Sequence, residues 1–469
     1  MYIKRLELEN YRGFESLVID FPPKANNLNV FIGINGSGKS SVLDAISLAL
    51  EGFVHTFYSF TNIKSYLGIP SRNLHKDNDW SVNPDDVRIN CDAFLIRAAL
   101  EDRQLTIEWS ISYERYFQQL ALPGILSLDS QSSSEFNLSV HSQELSSYFE
   151  LIGIDPEQSK PSSIADIKAL PVIAYYRARR IEVNSVHAQR FIRRVYSSQL
   201  PYGESLNSFS TSSQDITFLS EWFTEEEDIE NADRLRNNIE YRRPNLQIVR
   251  FALEKFSSHF SNGFFQEVQA FRTPRHLRNL RSFLTVQKGS DKLKFQQLSD
   301  GEKILLGLVL DIARRIAVFN SDASSPEKAL QGQGVILIDE IDSHLHPSWQ
   351  RTVLPALKAT FPNCQFIVTT HSPQVISSVP SESIFVLDGG SVIHNPGYTY
   401  GRESNSILRE LMGVSERIPV IQEKIKECFD LIEDEKFAEA KEKLKSLQDV
   451  LGDNDPDVIY LGTTITMFE

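Results

Sequence analysis

The sequence has no apolar run near the roughly 20 residues needed to cross a bilayer. Its N-terminus, where Lys4, Arg5, Glu7 and Glu9 interleave with apolar positions, does not have the form of a secretory signal. No membrane partner is expected, and the predicted location is the cytoplasm. Cysteine is scarce: Cys91, Cys364 and Cys428 stand far apart, which provides neither a disulfide framework nor a metal-ligand spacing. Positive charge is in deficit, with a formal net charge of −14 in 469 residues, which argues against indiscriminate coating of nucleic acid but leaves room for a local basic patch. No internal repeat and no sustained heptad pattern occurs, so a long coiled coil is excluded. The remainder, 41% hydrophobic and 23% charged, is that of a globular chain long enough for two or three domains.

The chain is organised around Gly33-Ile34-Asn35-Gly36-Ser37-Gly38-Lys39-Ser40, which fits the phosphate-loop pattern G-x-x-x-x-G-K-[ST]. The required context is present on both sides. Leu28 to Ile32 reads as a buried strand, and Leu43, Ile46 and Leu50 recur at helical spacing up to Gly52, taken as the helix end. The glycines let backbone N–H groups turn inward on a phosphate chain, and the helix N-terminus adds its positive dipole end. Asn35, Gly36, Ser37 and Gly38 would cradle the nucleotide, Lys39 would reach the β- and γ-phosphates, and Ser40 would hold Mg²⁺.

Alternation in residues 1 to 21 predicts two antiparallel strands turning at Arg12-Gly13, and residues 87 to 111 predict a hairpin around Glu101-Asp102. Serine-rich loops are expected at 127 to 147, 155 to 164 and 200 to 215, with a strand at Leu170 to Ala174 and helices at 218 to 223 and 246 to 260. The second half alternates strand and helix: an apolar strand at 334 to 338, a helix from Trp349 to Thr360, and a strand at 364 to 370. That order implies a parallel sheet. Beyond Met412 two amphipathic helices, one through Ile418, Ile421, Ile425, Phe429 and Ile432 and one through Phe437, Ala440, Leu444, Leu447 and Leu451, predict an antiparallel hairpin stopped by Gly452.

A phosphate loop alone hydrolyses nothing, but the strand at 335 to 338 ends in Asp339-Glu340. One carboxylate at the strand tip suits Mg²⁺, and the next suits polarising a water. Leu298-Ser299-Asp300-Gly301-Glu302-Lys303, ahead of an apolar helix, places serine and glycine at a second phosphate-binding helix start. This stretch resembles the signature motif of ABC-type ATPases, whose heads sandwich ATP between the phosphate loop of one subunit and the signature of the other. The resemblance implies an α/β head with a β-rich lobe and a parallel sheet flanked by helices. It also implies a role for Ser299, Gly301 and Glu302 across a dimer interface, with Asp342 to Pro347 as the dimer-contact loop and His371 as the switch histidine. No glutamine stands where a Q-loop is expected; Asp77 or Asp79 is a poor substitute.

The interval between Ser40 and Leu298 is longer than in transporter subunits and shorter than in SMC-type heads. With Leu345-His346-Pro347 and Thr370-His371-Ser372-Pro373 it resembles the RecF-type and overcoming-lysogenization-defect-type branch. Asp311-Ile312-Ala313-Arg314-Arg315, Trp349-Gln350-Arg351, Glu221-Trp222-Phe223, residues 361 to 366 and residues 400 to 405 are similar to the PtuA family, the ATPases of Septu and retron antiphage systems. That likeness implies a homodimer or higher oligomer, an HNH nuclease (PtuB-like) partner and ATP with Mg²⁺. A RecF-like repair ATPase at DNA ends or junctions is the alternative, and a transporter energiser a distant third. Asp453-Asn454-Asp455 is formally a Toprim-type acidic pair. It is followed by too little chain for the layers that hold two metals, so a helix-ending turn is expected and no nuclease activity.

Four parts are expected: lobe I at 1–115, a mixed and largely helical insertion at 116–290, lobe II at 291–412, and a C-terminal hairpin at 413–469. In the insertion, Arg177, Arg179, Arg180, Arg193, Arg194, Arg272, Arg275, Arg278 and Arg281 concentrate positive charge. They suit phosphate contacts with DNA or RNA, retron msDNA included, or equally a solvated face paired with Glu225 to Asp228.

Overall fold

The structure, a computed structural model, describes residues 1–22, 27–61, 86, 88–89, 91, 93–102, 105–117, 132–140, 171–177, 213–236, 239–260, 265–272, 282–320 and 323–468. They form two units, Met1–Arg402 and Glu403–Glu469.

The first unit opens with β1 (Tyr2–Tyr11) and β2 (Phe14–Asp20), which turn at Arg12-Gly13 as read. β4 (Ala93–Asp102), β5 (Leu105–Phe117) and β6 (Ser132–Val140) extend them into an antiparallel sheet of order β2-β1-β4-β5-β6. Leu6 and Leu8 point inward while Arg5, Glu7 and Glu9 face out, the period-2 pattern of a sheet with one dry face. The dry face covers α1 (Lys39–Thr61), where the Trp109 indole N–H donates to the Ala49 carbonyl at 2.9 Å. α1 continues past Gly52, correcting the expected stop: Phe53 is buried and packs on Trp109, 6.1 Å between ring centroids.

The second sheet has the order β14-β13-β3-β12-β11-β7. Its parallel strands are β3 (Leu28–Ile32), β7 (Val172–Tyr176), β11 (Gly334–Ile338), β12 (Cys364–Thr369) and β13 (Ile384–Asp388), and β14 (Ser391–His394) closes one edge antiparallel. β3, β7, β11 and β12 are buried along their whole length, as parallel strands covered on both faces must be.

β7 ties the middle of the chain to the central sheet. It lies within 116–290 yet pairs Val172 to Gly334 and Tyr176 to Ile338, so this segment belongs to the central sheet. β8 (Glu267–Arg272) and β9 (Ser282–Lys288) share a three-stranded sheet with β10 (Asp291–Lys294), across position 290. The helices α2 (Ser213–Arg236) and α3 (Pro244–Phe260) form as predicted but run longer, and α3 packs on α4 (Asp300–Phe319).

The helix expected at 349–360 is broken into α5 (Pro347–Gln350) and α6 (Val353–Thr360). The Thr352 hydroxyl donates to the carbonyls of Ser348 and Trp349, at 3.4 and 3.2 Å, competing with the helical ladder at the break. A short helix, α7 (Pro373–Ile376), follows β12.

The second unit holds α8 (Ser404–Glu410), α9 (Pro419–Glu433), α10 (Phe437–Leu451) and α11 (Pro456–Phe468). The expected hairpin of α9 and α10 forms and gains a further helix: Val458, Leu461 and Ile465 of α11 complete a core with Cys428, Ile432, Ala440 and Leu447. Asp455 begins α11 instead of ending α10. It takes two hydrogen bonds from Arg417 at 2.7 and 2.9 Å and one from the Asp457 N–H at 3.0 Å, so it serves as a cap. Among the described residues no helix is long and apolar enough to cross a membrane.

Candidate nucleotide site

β3, β12 and β11 are adjacent and parallel, with Phe31 opposite Thr369 and Val368 opposite Ile338, so their C-terminal tips share one sheet edge. Open α/β sheets place ligands at that edge. The phosphate loop leaves β3, Asp339 and Glu340 leave β11, and Thr370 and His371 leave β12.

Two glycines of the loop cannot be replaced within this backbone. A Cβ on Gly38, at φ 96°, would fall 2.3 Å from Phe14 Cζ, and one on Gly33, at φ 152°, would fall 2.5 Å from the Leu387 carbonyl. Lys39 is the first residue of α1 and turns back over the loop, donating to the carbonyls of Gly33 and Ile34 at 2.9 Å each. Burial lowers its pKa, opposed by Asp339, Glu340 and Asp342. The cation is thus held above backbone turned inward, beside exposed Asn35 and Gly36.

Ser40 Oγ donates to Asp339 Oδ1 at 3.1 Å, joining the two residues predicted to hold Mg²⁺. The Thr369 hydroxyl donates to the same oxygen at 2.6 Å and accepts the Glu340 N–H at 2.7 Å. One β12 side chain therefore orients both carboxylate-bearing residues. Glu340 is exposed and stands in the left-handed region, at φ 54°, a conformation that costs a non-glycine residue energy and turns the chain sharply after the strand.

Asp342 ties the next loop to the switch, accepting the Thr370 hydroxyl at 2.5 Å and the His371 N–H at 3.4 Å. Burial, then the nearby Lys39 ammonium, push the His371 pKa below its ordinary 6.5 against the pull of Asp342, Glu340 and Asp339. Burial and Lys39 thus favour the neutral imidazole.

Ser299 caps α4 in a reciprocal box with Glu302. The Ser299 N–H and hydroxyl both donate to Glu302 Oε2 at 2.8 Å, and the Glu302 N–H returns to Ser299 Oγ at 3.4 Å. Lys288 pairs with the other Glu302 oxygen. Glu302 is buried and fully engaged, and its role among the described contacts is to shape the helix start, while Ser299 remains exposed. Gly301 sits against the loop after Glu340: a Cβ there would meet the His344 carbonyl at 2.4 Å.

The sequence reading missed a cluster beside α1. Asp44 accepts Arg12 Nη1 at 2.6 Å and the Tyr175 hydroxyl at 2.9 Å, with Arg177 at 3.4 Å, while Arg12 Nε reaches Asp86 at 2.7 Å. Asp44 lies on the polar side of a helix read only for its apolar stripe, and β7 brings Tyr175 and Arg177 to it from far along the chain. Gln350 was likewise noted only as part of a resemblance. Asp77, Asp79 and the insertion arginines other than Arg177 and Arg272 lie outside the described residues. Of the acids set against those arginines, Glu226 pairs with Arg243 and Glu227 with Arg250.

Phosphate loop, strand-tip carboxylates, capped signature helix and switch histidine on one mixed sheet define an ABC-type ATPase head. Residues 125–377 match the family described as AAA domain, putative AbiEii toxin, Type IV TA system, and residues 1–85 match the AAA ATPase domain. The first match spans more than half of the chain, which belongs to that family and is an ATPase. The chain is 29% identical to the retron Ec83 probable ATPase of Escherichia coli, over 98% of this chain and 86% of that protein. It is 32% identical to the Septu protein PtuA of Bacillus thuringiensis, over 34% of this chain and 43% of that one. Among solved structures it is similar to an Smc head bound to the C-terminal winged-helix domain of ScpA, with a TM-score of 0.41 and 18% identity, covering 84% of this chain and 96% of that one.

Proposed function

We propose that two copies of this chain close head to head on ATP, and that the closed dimer is the sensor and regulatory scaffold of an HNH nuclease partner (PtuB-like) in Septu- or retron-type antiphage defence. The defence reading rests on the likeness to the retron Ec83 ATPase along nearly the whole chain. The dimer reading rests on Ser299, a capped helix start left exposed and held beside the loop at His344.

In this reading Asn35, Gly36, Ser37 and Gly38 wrap the phosphates and Lys39 moves from the Gly33 and Ile34 carbonyls to the β- and γ-phosphates. Ser299 and Gly301 of the second copy meet the γ-phosphate, with Glu302 fixing their helix start. Ser40 and Asp339, an oxygen-only pair already hydrogen-bonded to each other, fit Mg²⁺. Magnesium entering with ATP supplies charge neutralisation at the phosphate oxygens. Glu340, exposed at its strand tip, orients and deprotonates water, and neutral His371 contacts the γ-phosphate. Insertion arginines take DNA or RNA, retron msDNA included, and the C-terminal unit makes subunit or nuclease contacts.

Glu340→Gln keeps ATP bound and shifts the protein toward dimer, and Ser299→Arg leaves it monomeric with ATP, both read by light scattering. Hydrolysis at the parental rate by a strictly monomeric form would overturn the dimer reading. Co-purification with a neighbouring HNH nuclease tests the partner, and replication genes as neighbours would favour the RecF-like alternative.

A further inference from the structure

Gln350 ends the one-turn helix α5. Its side-chain amide makes three hydrogen bonds. Nε2 donates to the carbonyls of Asp342 and Leu345, at 3.2 and 3.0 Å, and Oε1 accepts the Ser372 hydroxyl at 2.7 Å. Between the two gripped carbonyls lies His344, held at φ 61°. A histidine in the left-handed region persists only where its surroundings enforce it. The His344 carbonyl is the atom against which signature Gly301 packs. Ser372 follows the switch histidine and is buried.

We propose that Gln350 is a positioning residue for ATP hydrolysis: it clamps the 342–345 loop in the shape that seats the signature helix and locks that loop to the segment carrying His371. Asp342 makes a second link between the same two segments through Thr370 and the His371 N–H. The Asp342 link fixes where the switch begins, and the Gln350 link fixes the far side of the loop. Only a side chain with both a two-proton donor and an acceptor at this reach can join two carbonyls to a hydroxyl. Glutamate would set an oxygen anion against two carbonyls, and leucine would take the amide from the Leu345 carbonyl and the acceptor from the Ser372 hydroxyl, while the Asp342 carbonyl keeps the Leu345 N–H. The hydrogen bonds of Gln350 go to Asp342, Leu345 and Ser372 and those of Lys39 and Ser40 to Gly33, Ile34 and Asp339, so loss of Gln350 disturbs alignment for hydrolysis and not the seating of ATP.

The test compares Gln350→Leu, Gln350→Glu, Ser372→Ala, Ser372→Thr and the Gln350→Leu/Ser372→Ala double variant in the full chain. Steady-state ATPase rates are read against equilibrium binding of a fluorescent ATP analogue. Both Gln350 variants and Ser372→Ala are expected to lower kcat by about tenfold or more while KM and analogue affinity stay within about twofold. Ser372→Thr, which keeps the hydroxyl, holds the parental rate, and the double variant falls no further than the worse single one, because both remove one link. Parental kcat in Gln350→Leu and Gln350→Glu would overturn the proposal. So would a fall in ATP affinity matching the fall in kcat, or full additivity in the double variant. Should the Gln350 variants not fold, Ser372→Ala cuts the same link from the other side, and an unchanged kcat there overturns the proposal by itself.

Discussion

Asp311, in the middle of α4, is buried with two arginines and a tyrosine hydroxyl. Arg314 Nη2 approaches at 2.8 Å, Arg315 Nε at 2.7 Å and the Tyr176 hydroxyl at 2.9 Å. Burial would raise the carboxyl's pKa, but Arg315 and Arg314 together bring it down to about 2 from 3.8. A depressed carboxylate stabilises the fold above its unfolded pKa, and that contribution, about 2 kcal/mol, is lost as pH falls from near 4 toward 2. Asp311→Asn removes the buried carboxylate that both guanidinium groups share, and urea unfolding at pH 7 should register a loss of about 2 to 3 kcal/mol. The same substitution should flatten the decline in stability between pH 4 and 2. The motif Asp311 to Arg315 stood out by resemblance alone; its structural work is to hold α4, whose first turn carries the signature, against β7.

At the scale of elements, α2 and α3 brace the head through charge. Arg243 Nε reaches Glu226 at 2.8 Å and its backbone N–H reaches Glu230 at 2.7 Å, while Arg250 bridges Glu227 and Glu230 at 3.2 Å each. Glu230 is only 4% exposed, so its charge is affordable only with these donors. Arg250→Leu should cost roughly 2 to 3 kcal/mol in thermal or urea unfolding, less than a fully buried pair because the guanidinium is partly solvated. ATP affinity should hold within about twofold. The far end of α3 is apolar: Phe256 stacks on Phe260, which meets Trp349 at 5.6 Å, next to Gln350. Glu226, Glu227 and Glu230 thus face the seam of a helix pair while Glu225 and Asp228 stay exposed, because Arg243, just before α3, and Arg250, on it, answer only the inward-facing acids.

At the scale of the whole molecule, the unit Glu403–Glu469 has its own core and also exposes Ile418, Val420, Ile459 and Tyr460. Ending the chain at Arg402 should leave ATP affinity within about twofold, by the same analogue titration, while reducing higher assembly or capture of the nuclease partner in pull-down. Full assembly by the truncated chain would remove that role from the unit, and lost ATP binding would show that the head depends on it.

The strand before Gly33, the helix that starts at Lys39, the strand ending at Asp339-Glu340 and the capped helix after Ser299 were legible in the sequence because each is a local pattern, set by hydrophobic period and by residues that one turn of backbone requires. α11 was not legible, since Thr463, Thr464 and Thr466 lower its helical propensity and its apolar side chains acquire meaning only against α9 and α10. Which residues converge was settled only in three dimensions. β7 joins the central sheet, Thr369 orients Asp339 and Glu340, Asp44 gathers Arg12 and Tyr175, and Gln350 links the loop at 342–345 to Ser372. The physical reason is that apolar periodicity declares which face of an element is dry, whereas a polar side chain's partner is whatever the packing of those dry faces brings within 3 Å, often more than a hundred residues away.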